Sequence, residues 1–103
     1  MLIENPYKIN DIVTIKLKSG EELVGRVEAD DDKAIKVSTP LTLVASDKGI
    51  GLQQFLFTAD VKTAYVIKHE AITLIVKTRE EFAEAYTKQT SAIQLPKKPS
   101  LIV

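Results

Sequence analysis

Two short polar clusters hold the residues of this chain that could do chemistry. Asp30-Asp31-Asp32-Lys33 sets three carboxylates and an amine in a row, and Lys68-His69-Glu70 joins an amine, the only imidazole and a carboxylate. Consecutive acids in a turn lack the spaced ligands of a calcium loop, so the aspartate triplet reads as a solvated turn and not as a cation site. A lone histidine at a turn reads as a surface residue unless its neighbours give it a task. The absence of cysteine removes thiolate metal sites, disulfides and thiol nucleophiles. There is no second histidine and no nucleophile elbow. Gly49-Ile50-Gly51 has two glycines but lacks the lysine and the strand-to-helix setting of a phosphate-cradling loop. The expectation is a protein that is not an enzyme and has no cofactor and no small-molecule substrate.

The bulk numbers narrow the partners. At 103 residues, 45% of them apolar, the chain can bury a single modest core. It has no apolar run resembling a signal peptide or a membrane span, so a cytoplasmic location without membrane contact is expected. Fourteen basic residues balance fourteen acidic ones. A duplex-binding protein usually carries a basic excess, because neutralising phosphates and releasing their counterions drives affinity. Nucleic-acid binding here would have to come from a locally concentrated site.

The elements that must position the two clusters are mostly strands. Over residues 11–18, Val13, Ile15 and Leu17 share one parity while Thr14, Lys16 and Lys18 share the other. Lys18-Ser19-Gly20-Glu21 follows as a tight turn, with Gly20 free to take positive φ. The alternation of residues 22–30 puts Leu23, Gly25, Val27 and Ala29 on one face, and Glu22, Val24, Arg26 and Glu28 on the other. A mid-strand glycine such as Gly25 suits a sharp bend or a close backbone approach. The aspartates make the second turn, and a third strand over 34–44 is broken near Pro40. After a loop at 46–51, strand-like stretches run through 52–58 and 61–67, and Lys68-His69-Glu70 punctuates them before a last strand at 71–77. There Ile72, Leu74 and Val76 face one way, and Ile75 makes the other face apolar too. Such a strand is either covered on both sides or paired at an interface.

Residues 78–90 change period. Thr78 and Glu81 form a capping-box pattern, and Phe82, Ala85, Tyr86 and Gln89 fall on one stripe of a short helix. A tail over 91–103, with a polyproline-like Pro96-Lys97-Lys98-Pro99, is expected to be extended. The predicted fold is mainly β: a small, five-stranded, strongly bent antiparallel SH3-like barrel with a short C-terminal α-helix, forming one domain over 1–90.

Leu17-Lys18-Ser19-Gly20, with Leu23, Gly25, Val27 and Asp31, resembles the first sequence motif of the Sm/LSm family. Lys68-His69-Glu70-Ala71-Ile72 is similar to the Lys-His-Ala-Ile segment of the bacterial Hfq-like branch, with Glu70 as one extra residue. The resemblance implies a five-stranded bent barrel that closes into a homo-oligomeric ring by pairing the fourth strand of one subunit with the fifth of the next. It implies binding of single-stranded RNA, with single-stranded DNA as a variant, at two pore-facing loops and a role in RNA processing. Carried over, the first loop supplies Asp31 and Lys33 beside Asp32, and the second supplies Lys68 and His69 beside Glu70. Lys68 would meet phosphate as a point charge, and His69 would donate to a phosphate or a base edge.

The departures are equally specific. Asp31 is followed by Asp32-Lys33-Ala34-Ile35 where eukaryotic Sm proteins have Asp-x-x-Met-Asn, so the base-stacking position holds no aromatic or methionine. The Arg-Gly of the second Sm motif is missing. Three aspartates near a pore would repel phosphate unless Lys33 and Lys68 offset them. The neutral charge and the missing stacking residue favour the alternative, a structural or protein-interaction module on the same barrel that binds no nucleic acid.

Overall fold

A computed structural model describes residues 5–60 and 63–94. Along the chain run β1 (Ile12–Leu17), β2 (Glu22–Asp30), β3 (Ala34–Ser46), β4 (Gly49–Gln54) and β5 (Ala64–Lys68). A single 3-10 turn (His69–Ala71), β6 (Ile72–Lys77) and α1 (Glu80–Gln94) follow. Val13, Ile15 and Leu17 are buried as their alternation predicts, and β1 pairs antiparallel with β2 from Ile12↔Arg26 to Lys16↔Glu22. The connecting turn is the expected one. Gly20 has φ +113° and donates its N–H to the Leu17 carbonyl at 3.0 Å.

The sheet runs in the order β4-β3-β2-β1-β6, and β5 also pairs with β3. Residues 41–46 of β3 pair with β4 and residues 34–38 pair with β5, so these two strands lie end to end along one edge. Six strands thus occupy five lanes, correcting the expected five strands. The outer lane is interrupted beside Thr39 and Pro40, where β3 bulges against β2 and proline has no N–H to offer a neighbour. The sheet is open rather than a closed barrel, with the β4/β5 lane at one edge and β6 at the other. The 3-10 turn carries the chain from one edge across to the other instead of folding it back as a hairpin.

Two apolar clusters sandwich β2. Inside the curl, Val13, Ile15, Leu23, Val27, Ile35 and Val37 are fully buried, with Tyr65, Ile67, Ile72 and Ile75 packed against them. On the outer face, Val24, Leu41 and Tyr86 form a second cluster beneath α1. Tyr86 anchors the helix, burying its ring and donating its hydroxyl to the Ser38 carbonyl at 2.6 Å. Gln89 donates to the Leu52 carbonyl, while Ala85, placed on the inner stripe by its spacing, is exposed. The capping box is replaced by other contacts. Thr78 pairs its hydroxyl with that of Thr14 at 2.9 Å, and Arg79 supplies the first helical carbonyl, bonded by Ala83 N–H.

Two further expectations are corrected. In β6, Ile72 pairs with Leu17 and Leu74 with Lys16, leaving Thr73 as an extra residue. This bulge flips the side-chain parity, so Ile72 and Ile75 both pack inward and Leu74 and Val76 turn out. At the C-terminal end, residues 91–94 are helix and not extended tail. No breaker stands between Thr90 and Pro96. The remainder of the expected tail, with its Pro96–Pro99 pattern, lies outside the described residues.

Gly25 sits where the strands crowd. An added Cβ there would lie 3.3 Å from the Val37 Cβ and 3.5 Å from both the Pro40 Cα and the Ser38 oxygen. Val37 is locked in the inner cluster and Pro40 is backbone at a bulge, so neither yields easily. Gly25→Ala is expected to lower stability by about 1–3 kcal/mol, the usual range for overpacking. Urea denaturation checks this, and an unchanged or raised midpoint would mean that β3 moves away freely.

Candidate nucleic-acid interface

The turn between β2 and β3 is built around Asp31. Its Oδ1 accepts the backbone N–H groups of Lys33 at 2.7 Å and Ala34 at 2.9 Å, while its own N–H donates to the Ala34 carbonyl. Those two backbone donors hold the Asp31 carboxyl below its ordinary pKa. The carboxylate therefore serves the turn it sits in, as aspartates at such positions do.

Main-chain pairing brings the second cluster to this turn. Ala34 pairs with Lys68 in the β3–β5 register, and the His69 N–H donates to the Lys33 carbonyl at 2.9 Å. Asp31, Lys33, Lys68 and His69 are thus collected at one end of the sheet. Lys33 and Lys68 are exposed. Lys68 shares the outer face of the β3–β5 pair with Lys36, its diagonal neighbour through the Lys36↔Val66 pairing.

His69 is engaged by a residue that the sequence did not single out as a site residue. Its Nε2 lies 2.8 Å from Asp30 Oδ1, and the other oxygen of the same carboxylate accepts the Tyr7 hydroxyl at 2.7 Å. Asp30 thereby joins the N-terminal segment, the β2–β3 turn and the 3-10 turn through one side chain. A bulge at Glu28 makes this arrangement, since Val27 pairs with Val37 but Ala29 already pairs with Lys36. Ala29, expected on the inner face, is exposed, and Asp30 turns inward opposite buried Ile35. No two-residue period could foresee that. Nor does any sequence signal link Tyr7 to an aspartate 23 positions away.

Asn5, Tyr7, Asp30, Asp31, Asp32 and His69 line an open cleft of about 410 Å³. Its walls are rich in hydrogen-bond acceptors, and the lysines stand outside it. Among the described residues no group of three or more His, Cys, Asp or Glu side chains is placed to hold a metal ion.

Burial, the Asp30 hydrogen bond and the Asp30 charge, in that order, push the Tyr7 hydroxyl from 10.0 up to about 12. A raised phenol favours the neutral form in the fold. Its stabilising contribution is complete below pH 10 and is lost as pH rises through about 12. Tyr7→Phe is expected to remove the latest-rising tyrosinate absorbance from an alkaline titration. If the profile near pH 12 kept its full amplitude, the Tyr7–Asp30 bond would be absent in solution.

No protein-family model matches this chain, and no curated protein matches it. Among solved structures it is similar to the crystal structure of a heptameric archaeal Sm protein, with a TM-score of 0.47 and 15% sequence identity, over 69% of this chain and 90% of that one.

Proposed function

We propose that this chain is an Sm-like subunit that assembles into a homo-oligomeric ring and binds single-stranded RNA where its two polar turns meet. The observation that carries this reading is the backbone joint itself. The two segments that resemble the Sm/LSm motifs, far apart in the chain, are fastened by the Ala34↔Lys68 pairing and the His69-to-Lys33 bond. Lys33, Lys36 and Lys68 present exposed ammonium groups beside that joint. Two nearby carboxylates are already engaged, Asp31 by its own turn and Asp30 by Tyr7 and His69, which tempers their repulsion of phosphate.

The edges support assembly. Outward-facing Leu74 and Val76 on β6 are about half exposed, and Val66 on β5 is 67% exposed. Pairing β5 of one copy with β6 of the next would cover these apolar side chains and satisfy two strand edges at once. Repetition around a ring would then multiply a few weak lysine contacts into useful avidity. In this reading the protein works in the cytoplasm and is not an enzyme. The alternative, a protein-interaction module on the same sheet, draws on the acidic wall of the cleft and on the engagement of the His69 ring by Asp30.

Native mass spectrometry with and without short oligo-U and oligo-A reads the ring and its ligand together. Anisotropy titrations over a range of salt then test the site. Wild type should lose affinity steeply as salt rises. Lys33→Ala with Lys68→Ala should weaken binding to both sequences and flatten the salt slope by about one for each phosphate no longer neutralised. Affinity indifferent to salt and to both substitutions would sink the site, and a ring that ignores both oligonucleotides would favour the interaction module.

A further inference from the structure

An apolar groove runs beside α1 on the outer face of the sheet. Leu43 and Ile50 stand at its β4 end, Val24 lies in its floor, and Val76 and Phe82 stand at its β6 end, around about 480 Å³ of open space. Ile50 is 58% exposed and Val76 45%, so the described residues leave these side chains uncovered. Between the two ends lies one acid, Glu22. It has no ion-pair partner among the described residues, and Lys16, its cross-strand neighbour, reaches instead for the Gly20 carbonyl. The basic groups at the β6 end, Lys77 and Arg79, already face Asp11 and Glu81. The groove is therefore apolar, then acidic, then apolar.

The helix fixes where the chain leaves the described fold. Thr78, just before α1, donates to Ile12 on β1, Phe82 lines the β6 end of the groove, and Gln89 donates to Leu52 on β4. The chain thus crosses the sheet from β6 to β4, and the residues after Gln94 start from the β4 side. They are Leu95-Pro96-Lys97-Lys98-Pro99-Ser100-Leu101-Ile102-Val103. Their order is apolar, basic, apolar, the complement of the groove read from the same end. Length agrees as well. Phe82 to Gln94 is about 18 Å of helix, and the eight residues from Gln94 to Ile102 reach up to about 26 Å when extended. We propose that this groove is the docking site of the chain's own C-terminal segment, with Lys97 and Lys98 over Glu22 and the Leu101-Ile102-Val103 run against Val76 and Phe82. The segment crosses the face of the sheet and leaves the backbone edge of β6 to a neighbouring copy, so the claim stands apart from the ring and from RNA.

The chain has no cysteine, so an engineered pair reports on one contact. In the full chain, Ile102→Cys with Val76→Cys should close to an intrachain disulfide under mild oxidant. Ile102→Cys with Glu84→Cys is the control, since Glu84 is exposed and lies only about 15 Å back along α1 from Gln94. The first pair should close about tenfold faster, whereas an undocked segment would close the control at least as fast. Adding Glu22→Lys should slow the first pair, and Lys97→Glu with Lys98→Glu on top should restore it. Equal rates, no closure, or a rate that ignores Glu22→Lys would overturn the proposal. A disulfide found by mass chiefly between two copies would overturn it too, because the groove would then hold a second copy's segment. In the wild-type chain, methyl NOEs between Ile102 and Val76 give the same reading without any substitution, and their absence would count against docking.

Discussion

At Gly25 the backbone of β2 comes within van der Waals reach of β3, and Val37, Ser38 and Pro40 crowd the space where a side chain would stand. The crowding has a definite source. β3 places Thr39 and Pro40 opposite one residue of β2, with Thr39 held at φ +43°, so the strand bends sharply there. Three features follow from that bend. The outer lane of the sheet breaks into β4 and β5, the Ser38 carbonyl becomes the acceptor that seats Tyr86, and the first half of β3 swings round to bring Ala34 beside Lys68.

Alternation in the sequence was a reliable guide wherever the ladder was regular. It located Val13, Ile15 and Leu17 in the core, gave Gly20 its positive φ, and marked Gly25 as a point of close approach. It failed at the bulges, and for one reason. A single extra residue reverses the facing of everything beyond it. Thr73 moves Ile72 off the face of Leu74 and Val76 and onto that of Ile75, Glu28 reverses Ala29 and Asp30, and Thr39–Pro40 divides the partners of β3 into two end-to-end strands. Pro40 signals a break in the third strand, yet β3 runs on through Ala34–Ser46 and it is the neighbouring lane that parts beside it. Thr73 and Glu28 carry no such sign, since either residue is at home in a regular strand.

The candidate site divides along the same line. That residues 31–33 and 68–69 should meet was readable only through the likeness of two segments to family motifs, and pairing does bring them together. What each side chain does once there was not readable. Asp31 commits its carboxylate to its own turn, and His69 faces an aspartate turned inward by a bulge. Tyr7, which completes that contact, comes from a segment whose only mark in the sequence was a proline beside an aromatic ring.

A formal charge of zero conceals a sorted surface. Carboxylates gather around the cleft under Tyr7 and His69, whereas Lys33, Lys36 and Lys68 stand outside it along the joint of β3 and β5. Net charge alone therefore does not describe this end of the sheet: the carboxylates of Asp30 and Asp31 are committed to hydrogen bonds inside the fold, while Lys33, Lys36 and Lys68 are exposed.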